Sequence, residues 1–177
     1  NPQKRKELHI AREDEQPKAS LKLTDFTLAE HFVSKHKHNL KYVPLWSKWI
    51  QWTGTHWSLS EKLEPEILAK DVVRDFYKIA ANTSDDNERK ALAKFALKNE
   101  KMKSVKEILE FAKSELSISP DLLDKPLNLI NLKNGTFDVY TGSLKPHSQN
   151  DYITKIIDID YSPEAQCPIF EAFLNRI

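Results

Sequence analysis

The chain has 177 residues, of which 40% are hydrophobic and 30% charged, a balance typical of globular proteins and not of disordered ones. Its 27 Lys and Arg stand against 26 Asp and Glu, so any nucleic-acid surface has to be a local basic patch. No apolar run approaches the roughly 20 residues of a membrane helix, and the single cysteine excludes an internal disulfide and fits a reducing, cytoplasmic setting.

The N-terminal part of the chain predicts a polar tail followed by a helix. Residues 1–20 are charged and show little periodicity, which is typical of a linker or tail and unlike a signal peptide. Thr24 or Asp25 can cap a helix over Phe26–Ser34 that buries one apolar side. The histidines nearby lie on a polar segment without convergent partners, so we predict no metal site there.

All four tryptophans fall within one aromatic stretch, Tyr42–Trp57, which predicts strands. On a flat strand Trp49 and Trp52 would point to opposite faces, whereas Trp46 and Trp52 would share a face. Buried tryptophans would form a core wall, and exposed ones a platform on which bases or sugars stack. We favour the core for Trp49, Trp52 and Trp57, and keep Trp46 as a candidate for DNA contact.

Residues 64–117 predict three helices joined by polar loops, which favours a small antiparallel bundle. Pro65 suits the first turn of one helix, and the polar loop over 82–87 ends with a cap for a second helix over Glu88–Asn99. Ser104 is the expected cap of the third helix, with Glu107 at the capping-box position. The residues expected to be buried are Ile67, Leu68, Val72, Phe76, Ile79, Ala91, Leu92, Phe95, Ala96, Val105, Ile108, Leu109, Ala112 and Leu116.

Lysines recur on the polar side of the second of these helices. Lys90, Lys94, Lys98 and Lys101 follow one another at spacings of four, four and three, so their ammonium groups share one face. Such a face is either a solvated surface or a row of phosphate contacts that would position nucleic acid without reading its sequence. These four are the first candidates for DNA binding, and the second set is Lys35, Lys37, Lys41 and Lys48.

Three short loops predict β-hairpins. Thr53–Thr55 contains a glycine free to take a positive φ, and Lys133–Gly135 places Asn-Gly between alternating runs. Thr141–Ser143 makes a further turn, and the β-branched run Ile153–Tyr161 suits a strand. Residues 127–161 therefore predict a small meander.

The chain offers no convincing catalytic set. Cys167 lies in a turn-like segment and lacks a base, so nucleophilic catalysis has no support. Asp85 and Asp86, or Asp158 and Asp160 on one face of a strand, could in principle hold Mg²⁺, but we favour a solvent face for the second pair. Three widely spaced glycines cannot build a phosphate-binding loop. We predict no catalytic, cofactor or metal site.

The end of the chain predicts an apolar helical stripe formed by Phe170, Phe173, Leu174 and Ile177, without a helix stop signal. Such a stripe needs a surface to pack against. We therefore expect the chain to be part of a longer polypeptide.

A series of short motifs in fixed order runs through the chain. The first part carries Leu23-Thr24-Asp25, Ala29, Phe32, Tyr42-Val43-Pro44, Trp49, Trp52, Gly54 and Trp57. The last part carries Asn134-Gly135-Thr136, Asp138, Thr141-Gly142, Leu144, Asp151-Tyr152, Thr154-Lys155, Tyr161 and Cys167-Pro168. Over residues 23–174 these elements resemble the region that precedes the superfamily 3, AAA+ type helicase motor in phage, plasmid and poxvirus primase–helicases.

The resemblance implies an accessory domain, residues 21–161, between a primase-type domain and a hexameric helicase, with residues 162–177 beginning the connection to that motor. It also implies contact with single-stranded or forked DNA, assembly into a ring, and the cytoplasm of a bacterial host of a phage or mobile element. ATP and Mg²⁺ would belong to the motor. No cofactor, metal or membrane is expected for this chain.

We predict an α+β fold, mainly a helical bundle with small antiparallel β-hairpins or a meander, one of them Trp-rich. The function we favour is coupling of primase to helicase, with contacts to DNA and to neighbouring subunits. The alternative is a structural protein–protein adaptor or oligomerisation collar without DNA contact. A weaker alternative is a carbohydrate-binding module built on the tryptophans.

Overall fold

The elements of the chain are seen in a computed structural model, which describes residues 23–60 and 64–176. The helices there are α1 Asp25–His36, α2 Glu64–Asn82, α3 Asp86–Asn99, α4 Met102–Glu115 and α5 Pro168–Leu174. The strands are β1 Leu40–Val43, β2 Lys48–Trp52, β3 Trp57–Leu59, β4 Leu129–Leu132, β5 Gly135–Asp138 and β6 Ser143–Lys145. They form the predicted α+β fold. The expected tail over residues 1–20 lies outside the described residues, as does Ile177.

The three helices predicted over residues 64–117 are present as α2, α3 and α4, and α1 joins them in one bundle in which α2 contacts each of the other three. All four contribute to one core, represented by Phe32, Phe76, Leu92 and Ile108. Phe76 and Phe95 meet edge to face with ring centroids 5.3 Å apart, a favoured geometry for aromatic pairs. None of the described helices has the length and hydrophobicity needed to cross a membrane.

The helix starts confirm one predicted cap and correct two others. Thr24 is the N-cap of α1. Helix α3 begins at Asp86, two residues before its predicted start, and Asp85 within the predicted loop caps it by accepting a hydrogen bond from the Glu88 N–H at 2.7 Å. The cap predicted at Ser104 is wrong, because α4 begins two residues earlier and its N-cap is Lys101. Ser104 lies inside α4, buried.

The predicted apolar stripes are also corrected at three positions. Ile67 and Ile79 of α2 are 52% and 38% exposed, and Ala91 of α3 is exposed. In α2 the buried set is shifted to include Ala69, Val73 and Ala80. The crossing of the helices decides which edge of a broad apolar stripe is covered, and the sequence spacing does not contain that crossing.

Strands β1, β2 and β3 form an antiparallel sheet in that order, and both of its faces are covered. On one face Leu40 and Trp49 pack against the helical core. On the other, Val43, Ile50 and Trp57 belong to a second core cluster. This sheet therefore lies between the helical bundle and the C-terminal half of the chain.

The tryptophans largely confirm the core interpretation. Trp57 is 1% exposed, while Trp49 and Trp52 are half-buried on opposite faces of the sheet, as predicted. The prediction that Trp46 and Trp52 share a face is wrong, because Trp46 ends a 3-10 turn and Ser47 then takes a φ of 52°. The alternation of a strand therefore does not extend back to Trp46.

Strands β4, β5 and β6 form a second antiparallel sheet, which confirms the predicted meander up to Lys145. Gly135 lies where the sheet is tightest, since a Cβ there would be 2.7 Å from the Lys145 carbonyl oxygen. The buried Asn131 ties this sheet to the first, because its amide nitrogen donates to the Thr55 carbonyl at 3.0 Å. The same nitrogen donates to the Lys155 carbonyl at 3.1 Å.

The strand predicted over Ile153–Tyr161 is wrong. This segment is irregular, with one isolated parallel bridge from Ile157 to Leu132, and only Ile153 of its isoleucines is buried. Without a strand, no shared face for Asp158 and Asp160 exists. Asp158 instead forms an ion pair with Lys133 at 3.2 Å.

Candidate nucleic-acid interface

The first candidate surface is the outer side of α3. The Asp85 cap starts this helix, and Leu92, Phe95 and Ala96 are buried on its inner side. Burial of one side fixes the rotation of the helix, so the opposite side faces solvent. The predicted lysines lie on that solvent-facing side.

Lys90, Lys94 and Lys98 are all exposed, and none of them forms an ion pair with a described residue. The acidic residue one turn before Lys90, Asp86, is paired with Arg89 at 2.6 Å. Successive lysines are about 6 Å apart along the helix axis, given a rise of about 1.5 Å per residue. The structure therefore brings these three together as a row of unneutralised ammonium groups.

Lys101 continues the row only approximately. It lies past the end of α3 as the N-cap of α4, with extended backbone at φ −134°, so helical spacing does not carry over to it. It borders a basic hollow between α2 and α4, of about 230 Å³, together with Lys70 and Arg74. Glu100 also lines this hollow, and its carboxylate contributes, after desolvation, to raising the pKa of Tyr77.

Of the basic residues that line this hollow, Lys101 was predicted as a site residue, whereas Lys70 and Arg74 were not. Lys70 and Arg74 are four apart on α2, so their sharing a face could have been read from the sequence. Their proximity to Lys101 could not, because it depends on how α2 and α4 pack. Arg74 is also paired with Asp71 at 3.2 Å, which lowers the free charge of the hollow.

The second predicted set does not form one patch. Lys35 is bound to Asp75, which also pairs with Lys78 at 3.0 Å. Desolvation opposes ionisation of Asp75, but hydrogen bonds from the two lysines prevail and lower the pKa of its carboxyl group. Lys35 is thus engaged in joining α1 to α2.

The remaining members of that set are dispersed. Lys41 is half-buried on β1, and desolvation lowers the pKa of its amine. Lys37 is exposed at the end of α1, and Lys48 is exposed at the start of β2. Trp46 is 43% exposed and therefore accessible to a ligand. It lies in the 3-10 turn Pro44–Trp46, an element separate from the α3 row.

The sequence was compared with models of known protein families. A family model described as D5 N terminal like matches residues 29–177. The chain belongs to that family. Its members are the corresponding domains of phage, plasmid and poxvirus primase–helicase proteins of the D5 type. No curated protein sequence matches the chain.

Within the described part of this D5 N-terminal-like domain, no three His, Cys, Asp or Glu side chains are grouped so as to hold a metal ion. Cys167 is exposed, with its Sγ 3.7 Å from a Glu171 carboxylate oxygen.

Proposed function

We propose that this chain is a non-catalytic accessory domain of a DNA-replication primase–helicase that couples the primase to a hexameric helicase and contacts DNA and neighbouring subunits. In this proposal residues 21–161 form the domain and residues 162–177 lead to the motor. ATP and Mg²⁺ act in the motor, in the cytoplasm of a bacterial host. The family match over residues 29–177 supports the replication context.

The observation that supports DNA contact is the row of Lys90, Lys94 and Lys98. Lysine is a point charge on a flexible stem, suited to neutralising a phosphate without demanding one fixed geometry. A row of such groups binds the backbone and releases counterions, so it positions single-stranded or forked DNA without selecting its sequence. Lys101 and the basic hollow would extend this path toward α4.

A double charge reversal tests this assignment. Lys94→Glu/Lys98→Glu should weaken binding of single-stranded and forked DNA by about tenfold or more at low salt, because two phosphate contacts become repulsive. The matched control is Lys125→Glu/Lys155→Glu, which changes the net charge equally at two other exposed lysines. Binding is measured by fluorescence anisotropy, and equal losses in both variants would contradict a specific role for α3.

A second candidate function is a structural collar that binds protein and never DNA. It is favoured by one observation, the exposure of the apolar side chains of α5. The two functions differ in the DNA measurement, since a collar without DNA contact predicts no affinity for either DNA form at low salt. A sugar-binding role finds no support, because Trp57 is buried and Trp49 and Trp52 are half-buried.

A further inference from the structure

Helix α5 presents apolar side chains to solvent. Phe170, Phe173 and Leu174 are 58%, 57% and 48% exposed, and their spacing of three and four places them on one face. Ile169 is 87% exposed. A contiguous apolar surface of this kind marks a site of contact with another surface.

The segment before α5 extends from a fixed point. Tyr161 is held by stacking on Phe137, with ring centroids 4.7 Å apart, and its N–H donates to Asn134 Oδ1 at 2.9 Å. Beyond it, residues 162–176 are exposed throughout. They contain Glu164, Glu171 and Arg176, and Glu171 is the acidic residue within α5 itself.

A groove between α2 and α4 is lined by apolar residues and by more basic than acidic side chains. We call it the α2–α4 groove; its volume is about 710 Å³. Its apolar lining residues are Trp49, Ile67, Met102 and Leu109, and its basic residues are Lys70, Lys106 and Lys113. Glu66 and Glu110 also line it, and Glu110 is paired with Lys113 at 2.6 Å.

The groove is open in its own chain. Ile67 and Met102 are 52% and 57% exposed, although both are large apolar residues on otherwise well-packed helices. Lys70 and Lys106 form no ion pair with any residue that the structure describes. Unneutralised lysines beside an apolar floor favour an acidic, apolar partner over a neutral one.

We propose that α5 of one copy docks in the α2–α4 groove of a second copy. Phe170, Phe173 and Leu174 cover Ile67 and Met102, and Glu171 lies beside Lys70 or Lys106. The occupant is a second copy because every chain carries both complementary surfaces and leaves both exposed. This inference rests on the assembly part of the proposed function and specifies its contact.

The two sides of this contact are different surfaces, so it is heterologous. A heterologous contact adds copies head to tail and closes into a ring if the rotation between neighbours permits. It also predicts a form of complementation that a symmetric contact does not. Two chains, each with a different side disrupted, still share one intact contact.

The test is sedimentation velocity over a range of concentrations. The α5 variant is Phe170→Asp/Phe173→Asp, and the groove variant is Ile67→Asp/Met102→Asp. All four positions are exposed, so both variants should fold, which circular dichroism checks. The wild-type chain should self-associate, and each variant should remain monomeric. An equimolar mixture of the two variants should form dimers and nothing larger.

The matched control is Leu45→Asp/Leu122→Asp, at exposed leucines that belong to neither surface, and it should associate like the wild type. Glu171→Lys or Lys106→Glu alone should weaken association by about three- to tenfold, and the double exchange should restore part of it. If either single charge reversal left association unchanged, the proposed ion pair between α5 and the groove would be contradicted.

The inference is overturned by a wild-type chain that stays monomeric, by a groove variant that associates normally, or by a mixture that fails to form dimers. These results are separable from the DNA proposal. The α5 variant should bind DNA like the wild type at concentrations below association. A wild-type chain that binds DNA but stays monomeric would contradict this inference alone, and a wild-type chain that self-associates but does not bind DNA would contradict DNA contact alone.

Discussion

At the residue scale, Trp57 connects three parts of the molecule. Its backbone pairs β3 with β2, while its N–H donates to the Ile153 carbonyl at 2.8 Å. The indole Nε1–H donates to the Gln149 carbonyl at 2.9 Å, and the ring stacks on Tyr152. A buried indole with its one donor satisfied stabilises the contact between the first sheet and the C-terminal half.

Trp57→Phe should lower the free energy of unfolding by about 1–3 kcal/mol. The change removes one ring and leaves the Gln149 carbonyl without its donor. Trp46→Phe is the control, since Trp46 is substantially exposed, and should change stability by less than about 0.5 kcal/mol. Urea unfolding followed by circular dichroism measures both, and equal effects would contradict the core role of Trp57.

His36 is the second residue with an unusual environment. It is 8% exposed, packs on Phe32 with ring centroids 4.8 Å apart, and its Nε2 has no hydrogen-bond partner among the described residues. Desolvation and then the Lys35 charge lower the pKa of its imidazole, against an opposing effect of Asp75. Protonation of the ring is therefore less favourable in the folded state than in the unfolded chain.

This environment predicts a loss of stability on mild acidification. Below the usual pKa of about 6.5 the unfolded chain takes up the proton that folded His36 resists, so the free energy of unfolding falls as pH falls from there to the lowered pKa. His36→Leu should flatten that dependence between about pH 7 and 5, whereas His38→Leu, at an exposed position, should not. An unchanged slope in His36→Leu would contradict the assignment.

At the element scale, the helix starts show what local signals determine. The Asp85 carboxylate satisfies one free N–H of the first turn of α3. The polar loop over 82–87 indicated a cap before this helix, but it placed the helix start at Glu88, two residues too late. Ser104 carried a similar signal but lies inside α4, where its hydroxyl donates to Asn99 Oδ1 at 3.1 Å. The buried Asn99 amide competes for that hydroxyl, a tertiary effect that a capping pattern cannot reveal.

Asp85→Ala should therefore destabilise the protein by about 1 kcal/mol, because the Glu88 N–H loses its acceptor. The neighbouring exposed Ser84 provides the control, and Ser84→Ala should stay within about 0.5 kcal/mol. Thermal unfolding at fixed pH compares the two. A destabilisation by Ser84→Ala equal to that by Asp85→Ala would show that the loop, and not the cap, matters.

The strands show the same division between local and tertiary information. The Asn134-Gly135 turn and its flanking residues predicted the β4–β5 hairpin, because turn and pairing partner are adjacent in sequence. The segment 153–161 had the β-branched composition of a strand, but no turn signal joined it to a pairing partner adjacent in sequence. That segment is held by single contacts such as the Asn131–Lys155 hydrogen bond.

At the scale of the whole molecule, sequence periodicity was sufficient to predict a helical bundle and the exposed lysine row on α3. It was not sufficient for the basic hollow or the α2–α4 groove, because each is formed where two helices distant in sequence come together. The partial burial of Lys41 and the pairing of Lys35 with Asp75 have the same origin. Candidate lysines therefore separated into free and engaged groups only in the folded chain.

The two proposals place two tasks on different surfaces of one domain. The α3 row would guide the DNA backbone, while α5 and the α2–α4 groove would join neighbouring copies. Lys70 and Met102 border both the basic hollow and the groove, so these two cavities adjoin. Assembly would thus place the DNA paths of successive copies in a regular order.

The most direct measurement of the central proposal is the salt dependence of DNA binding by Lys90→Gln/Lys94→Gln/Lys98→Gln. If each lysine neutralises one phosphate, the slope of log affinity against log salt should be shallower than that of the wild type by about 2–3 for duplex arms and somewhat less for single strands. A slope identical to that of the wild type, with unchanged affinity, would contradict DNA contact through α3.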